Sequence, residues 1–133
     1  EAIDCYNEII KLEPSNSSIF NQKGLALLEL DRKSEAVECY DQAIKLNPQF
    51  ADAYFNKGNA LKSLSRYLEA IECYSEAIKF NPEYADAYFN KGCTLMHLGR
   101  NLEAVECYDA ALKAKHDIQA CLIHKGCALH KLG

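Results

Sequence analysis

Four stretches of this chain, Glu1–Tyr6 (EAIDCY), Glu35–Tyr40 (EAVECY), Glu69–Tyr74 (EAIECY) and Glu103–Tyr108 (EAVECY), stand 34 residues apart. Lys23-Gly24, Lys57-Gly58, Lys91-Gly92 and Lys125-Gly126 keep the same beat. A period held by several residue types without insertion means one supersecondary unit, copied and stacked. Such a stack has no single cleft, so its working surface is an extended face.

The unit reads as two helices. Tyr54, Leu61 and Leu64 fall on one helical stripe, and Ala70, Tyr74, Ala77 and Ile78 on another. Between stripes, Asp31, Ser65, Gly99 and Gly133 recur at one position, as a tight interhelical turn wants. The second helix must stop at Asn47-Pro48 and Asn81-Pro82, because proline lacks an N–H and forces its predecessor out of the helical region. The unit is therefore helix–turn–helix–turn, all α. Gly24, Gly58, Gly92 and Gly126 fall mid-helix, where glycine costs about 1 kcal/mol against alanine. Recurrence at that cost points to close approach by a neighbouring helix, with Ala36, Ala70 and Ala104 as the expected counterparts.

Composition excludes several classes. With 49% hydrophobic and 26% charged residues in 133, the chain suits one soluble domain. A net charge of -4 with both signs interspersed gives no nucleic-acid footprint and no basic membrane patch. No run approaches a membrane span, and the opening EAIDCYNEII is no signal peptide. Of seven cysteines, Cys5, Cys39, Cys73 and Cys107 share one repeat position. Equivalent residues on stacked helices lie about 8–10 Å apart, beyond the roughly 7 Å a disulfide spans between Cα atoms. Thiols used as small apolar residues suit a reducing compartment, so a cytoplasmic location is expected.

These residues resemble the tetratricopeptide repeat family, whose helical hairpin carries an aromatic, Gly, Ala, aromatic, Ala and Pro at set offsets. Residues 51–84 supply Tyr54, Gly58, Ala70, Tyr74, Ala77 and Pro82. Residues 85–118 supply Tyr88, Gly92, Ala104, Tyr108 and Ala111, and residues 17–50 supply Phe20, Gly24, Ala36, Tyr40, Ala43 and Pro48. Departures are few. His116 replaces the last proline, Ile9 replaces an alanine, and Lys23, Lys57, Lys91 and Lys125 stand at a leucine position, where their stems can lie on the core. The resemblance implies a right-handed superhelical solenoid whose concave surface, lined by first helices, binds segments of other proteins. In this register residues 1–16 are a second helix, 17–50, 51–84 and 85–118 are complete repeats, and 119–133 is a first helix. That reads as a segment of a longer array, with uncapped ends expected to stack end to end.

The exposed face of the first helices is then the place to seek function. Phe55, Phe89 and Ile123 share one offset and would form an apolar ladder, a candidate partner site when exposed. Asn56 and Asn90 would form a short polar ladder beside it, with Asn59, Lys62 and Cys93 further along. An asparagine amide offers both donor and acceptor, so it can hold a peptide backbone of any sequence. The pair is similar to the asparagine ladder of the repeat superhelix in O-linked N-acetylglucosamine transferases. The family's carboxylate clamp is absent. Asn59 and Asn90 match its asparagines, but Phe55, Ala120 and His124 stand where cationic donors are needed. Cys93, His97, Cys121, His124, Cys127 and His130 match no compact zinc module, so packing thiols and solvated imidazoles are expected, with no metal and no cofactor. Nothing resembles a phosphate loop or a catalytic triad. The expected function is a non-enzymatic scaffold that binds a peptide or helix. The alternatives are the substrate-recruiting arm of a multidomain enzyme such as a glycosyltransferase, or a self-assembling spacer.

Overall fold

The computed structural model describes residues 2–114 and 117–133, and all secondary structure among them is helical. The helices are α1 (Ala2–Leu12), α2 (Ser17–Glu29), α3 (Lys33–Leu46), α4 (Ala51–Ser63), α5 (Tyr67–Phe80), α6 (Ala85–His97), α7 (Asn101–Lys113) and α8 (Ile118–Leu132). His116, the departure from proline, lies outside the described residues. Each helix packs on the next in sequence. The first helices also approach one another, α2 with α4, α4 with α6 and α6 with α8, whereas no two second helices come within 8 Å between Cα atoms among the described residues. A stack drawn tighter along its first helices curves toward them, so these helices line the inner wall. The result is an all-α solenoid of stacked hairpins.

The turns explain the punctuation. At the end of α2 the Arg32 N–H donates to Leu27 O at 2.9 Å and the Asp31 N–H to Leu28 O at 3.0 Å. The pattern returns with Arg66 and Ser65 after α4, and with Arg100 and Gly99 after α6. This is the Schellman closure, which needs a left-handed residue at the first position past the cap. Asp31, Ser65 and Gly99 have φ of 61°, 62° and 78°. The next residue is an arginine that forks onto a glutamate three residues later, Arg32 onto Glu35, Arg66 onto Glu69 and Arg100 onto Glu103. Those hydrogen bonds hold all three exposed carboxyls below the usual range. The second helices stop where expected, and Asn47 and Asn81 each accept an N–H two residues on. Tyr54 and Tyr88 then latch the following helix by donating to Pro48 O and Pro82 O.

The core corrects one expectation. The counterparts of the helical glycines are tyrosines, not alanines. A Cβ on Gly24 would lie 2.5 Å from Tyr40, on Gly58 2.7 Å from Tyr74, and on Gly92 2.8 Å from Tyr108. All three rings are fully buried, as are Ala36, Ala70 and Ala104. Gly126 differs, with nothing within 4 Å of its Cβ position. The family-atypical lysines reach back to the preceding second helix, Lys57 to Asp41 at 2.6 Å and Lys125 to Asp109 at 2.7 Å. At the joint between them Ser75 replaces the aspartate and donates instead to Ile71 O. The repeat-position thiols are free; Cys39, Cys73 and Cys107 are buried, while Cys5 is exposed. Burial pushes the Cys73 thiol up to about 11.

The glycine notches make a paired test. Gly58→Ala drives a methyl into a ring with no room to move and is expected to lower stability by about 1–3 kcal/mol. Gly126→Ala meets open space and is expected to raise it by up to about 1 kcal/mol through helix propensity. Denaturant melts of the two variants read the opposite signs.

Candidate functional site: the concave groove

Helix α4 carries Phe55, Asn56, Asn59 and Lys62, α6 carries Phe89, Asn90 and Cys93, and α8 carries Ile123. The inner wall thus holds every residue singled out from sequence, but it does not present them uniformly. Phe55 is half-buried, its ring 6.0 Å from Tyr74 and 4.9 Å from Tyr84. Phe89 is half-buried against Tyr108 at 5.6 Å and His124 at 5.0 Å. Only Ile123 stands open, at 63% exposure. The ladder is two shielded rings and one bare rung. Tyr84, the residue entering α6, shields Phe55, and His124 within α8 shields Phe89.

The asparagines form a different object from the expected ladder. Asn56 donates through Nδ2 to Asn21 Oδ1 at 2.9 Å, and Asn90 donates to Asn59 Oδ1 at 3.0 Å. Each bond crosses from one first helix to the next. Asn21, one period before Phe55, is buried and serves as the acceptor beneath the wall. Asn59 Oδ1 also accepts from the Tyr74 hydroxyl at 2.6 Å. Both groups donate to Asn59 Oδ1, which leaves its NH2 turned away from them. Among the described residues Asn59 Nδ2 and the Oδ1 atoms of Asn56 and Asn90 have no hydrogen-bond partner. The inner wall therefore offers a set pattern of acceptor, donor and acceptor.

The tyrosine beneath each unit meets a different neighbour. Tyr74 finds Asn59, and Tyr108 donates to Met96 Sδ at 3.3 Å. In the first complete unit Leu25 occupies the asparagine position, and the Tyr40 hydroxyl is buried without a partner. Burial pushes all three phenols above their ordinary value, with Cys93 adding to the shift at Tyr108. Sequence reading missed the asparagine pairs and this change of partner. The separations of 35 and 31 residues within the two pairs, each close to one period, were the available signal.

Lys62 and Cys93 line a cavity of about 400 Å³ at the far end of α4 and α6. No three His, Cys, Asp or Glu side chains converge as a metal site among the described residues. No helix of these residues is long and apolar enough to cross a membrane.

A TPR repeat model matches residues 32–65 and 58–99, and a tetratricopeptide repeat model matches residues 85–117. No curated protein matches the chain by sequence. Among solved structures, MamA protein is 25% identical with a TM-score of 0.91, over 98% of this chain and 72% of that one. YrrB, described as a TPR protein with an unusual peptide-binding site, is 20% identical with a TM-score of 0.87, over 96% of this chain and 66% of its own. The first TPR of Spaghetti (RPAP3), bound to HSP90 peptide SRMEEVD, is 20% identical with a TM-score of 0.84, over 87% and 92%. The last two likenesses speak for fold alone.

The unequal tyrosines are testable. Tyr40→Phe removes an unsatisfied buried hydroxyl and is expected to leave stability unchanged or raise it by up to about 1 kcal/mol. Tyr74→Phe deletes a made bond and is expected to cost about 1 kcal/mol. Thermal or urea unfolding of both variants reads the difference.

Proposed function

This chain belongs to the tetratricopeptide repeat family, and we propose that it is a non-catalytic protein-interaction scaffold whose concave groove takes an extended partner peptide. The fixed amide pattern is the observation that carries the reading. A peptide's N–H groups would meet Oδ1 of Asn56 and Asn90, and a carbonyl would meet Nδ2 of Asn59. Because the amides are already held by one another and by Tyr74, little side-chain freedom is lost on binding. Ile123 and the accessible edges of Phe55 and Phe89 would take an apolar side chain. Peptide binding in the names of YrrB and the Spaghetti domain supports a partner of this class. The mode would differ from C-terminal carboxylate capture, because Phe55, Ala120 and His124 supply no fixed cation.

The groove reading is tested with peptides selected from a random library against the whole chain. Amide resonances shifted by the strongest binder should cluster on α4, α6 and α8. Phe55→Ala with Phe89→Ala is expected to weaken that binder by about tenfold or more, with helical circular dichroism retained. Ile123→Asp reads the same face from an exposed position. Undiminished binding in both variants contradicts the assignment.

A further inference from the structure

At the end of the groove where α4, α6 and α8 terminate, the roughly 400 Å³ cavity has an unusual charge pattern. Lys62 from α4, His97 from α6 and Lys131 from α8 line it. Met96, Tyr108, Cys93 and His124 complete the lining. No carboxylate lines it, although the chain carries 19 acidic residues against 15 basic ones. Lys57, Lys125, Lys33 and Lys11 reach carboxylates, while several other lysines reach none among the described residues. Among the described residues Lys62 and Lys131 have no ion pair. Each of these lysines sits in the last turn of its helix, where the helix dipole favours it. That accounts for each lysine singly, but not for an open recess edged by two lysines and free of acids.

His124 adds a directional group. Its Nδ1 lies 2.8 Å from Ala120 O, and a carbonyl only accepts, so Nδ1 carries the hydrogen. Nε2 is then the ring atom left for a ligand, while the ring itself is braced against Phe89 and Tyr108.

We propose that this cavity selects a glutamate side chain of the peptide bound in the groove, its methylenes over Met96 and its carboxylate between Lys62 and Lys131. The inference rests on the groove reading above. Charge complementarity names the occupant. Bidentate recognition of a phosphate favours guanidinium donors, and no arginine lines the cavity. A carboxylate needs only the one or two point charges that lysines supply. The stem of glutamate also gives the thioether and the phenol ring an apolar surface to cover.

The test uses the same library selection against the whole chain. Binders are expected to converge on an acidic residue at one position. Replacing that glutamate with glutamine in the strongest synthetic peptide should weaken it about tenfold, and the penalty should shrink in high salt. The double variant Lys62→Met, Lys131→Met should bind the glutamate and glutamine peptides equally, at the glutamine level. Equal binding of both peptides by the unaltered chain would overturn the proposal. So would a phosphoserine version that binds more tightly than the glutamate peptide. Binders that need Ile123 but show no acidic preference would overturn it while leaving the groove reading intact. Failure to select any groove-dependent binder would remove both.

Discussion

A tyrosine ring seated in a glycine notch is the contact on which the rest of this molecule depends. In each complete unit the first helix gives up a side chain so that the second can lay a ring directly on its backbone. Glycine in mid-helix costs about 1 kcal/mol. Full burial of an aromatic side chain returns roughly 1.5–3 kcal/mol, so the exchange favours the close hairpin. The ring fixes the distance between the two helices, and repetition of that distance fixes the curve of the solenoid. The Schellman turn and the arginine–glutamate fork then set the angle at which the second helix departs.

The same ring links scaffold to groove. Its apolar body is in the core, but its hydroxyl emerges beneath the inner wall, and each unit answers it differently. Leu25 leaves Tyr40 unanswered, Asn59 accepts from Tyr74, and Met96 accepts from Tyr108. A uniform frame thereby carries a floor that changes from unit to unit. Where the answer is an asparagine, the same Oδ1 also accepts from Asn90 in the next unit. The groove's polarity follows from packing decisions made one layer below it.

Much of this was legible in the chain itself. The period gave the unit, Asn47-Pro48 and Asn81-Pro82 gave the stops, and the recurring Asp31, Ser65 and Gly99 gave the tight turn between helices. Three things were not legible, each for a physical reason. Periodicity along one helix says that Gly58 is approached but not by which residue of the partner, so alanine was expected where Tyr74 stands. Matched offsets assume that neighbouring first helices align like with like. The bonds from Asn56 to Asn21 and from Asn90 to Asn59 instead join unlike offsets, sliding one way at the first joint and the other way at the second. Shielding of Phe55 comes from Tyr84 in a connecting segment, where helical patterning carries no information.

The central claim is that the scaffold tyrosine, through its hydroxyl, sets the amides that receive a peptide. The direct measurement is the affinity of Tyr74→Phe for a peptide selected by the unaltered chain, with helical content checked alongside. Loss of about tenfold in affinity with the helices intact is expected, because Asn59 then loses the bond that orients it. Unchanged affinity in a folded Tyr74→Phe chain would contradict the claim.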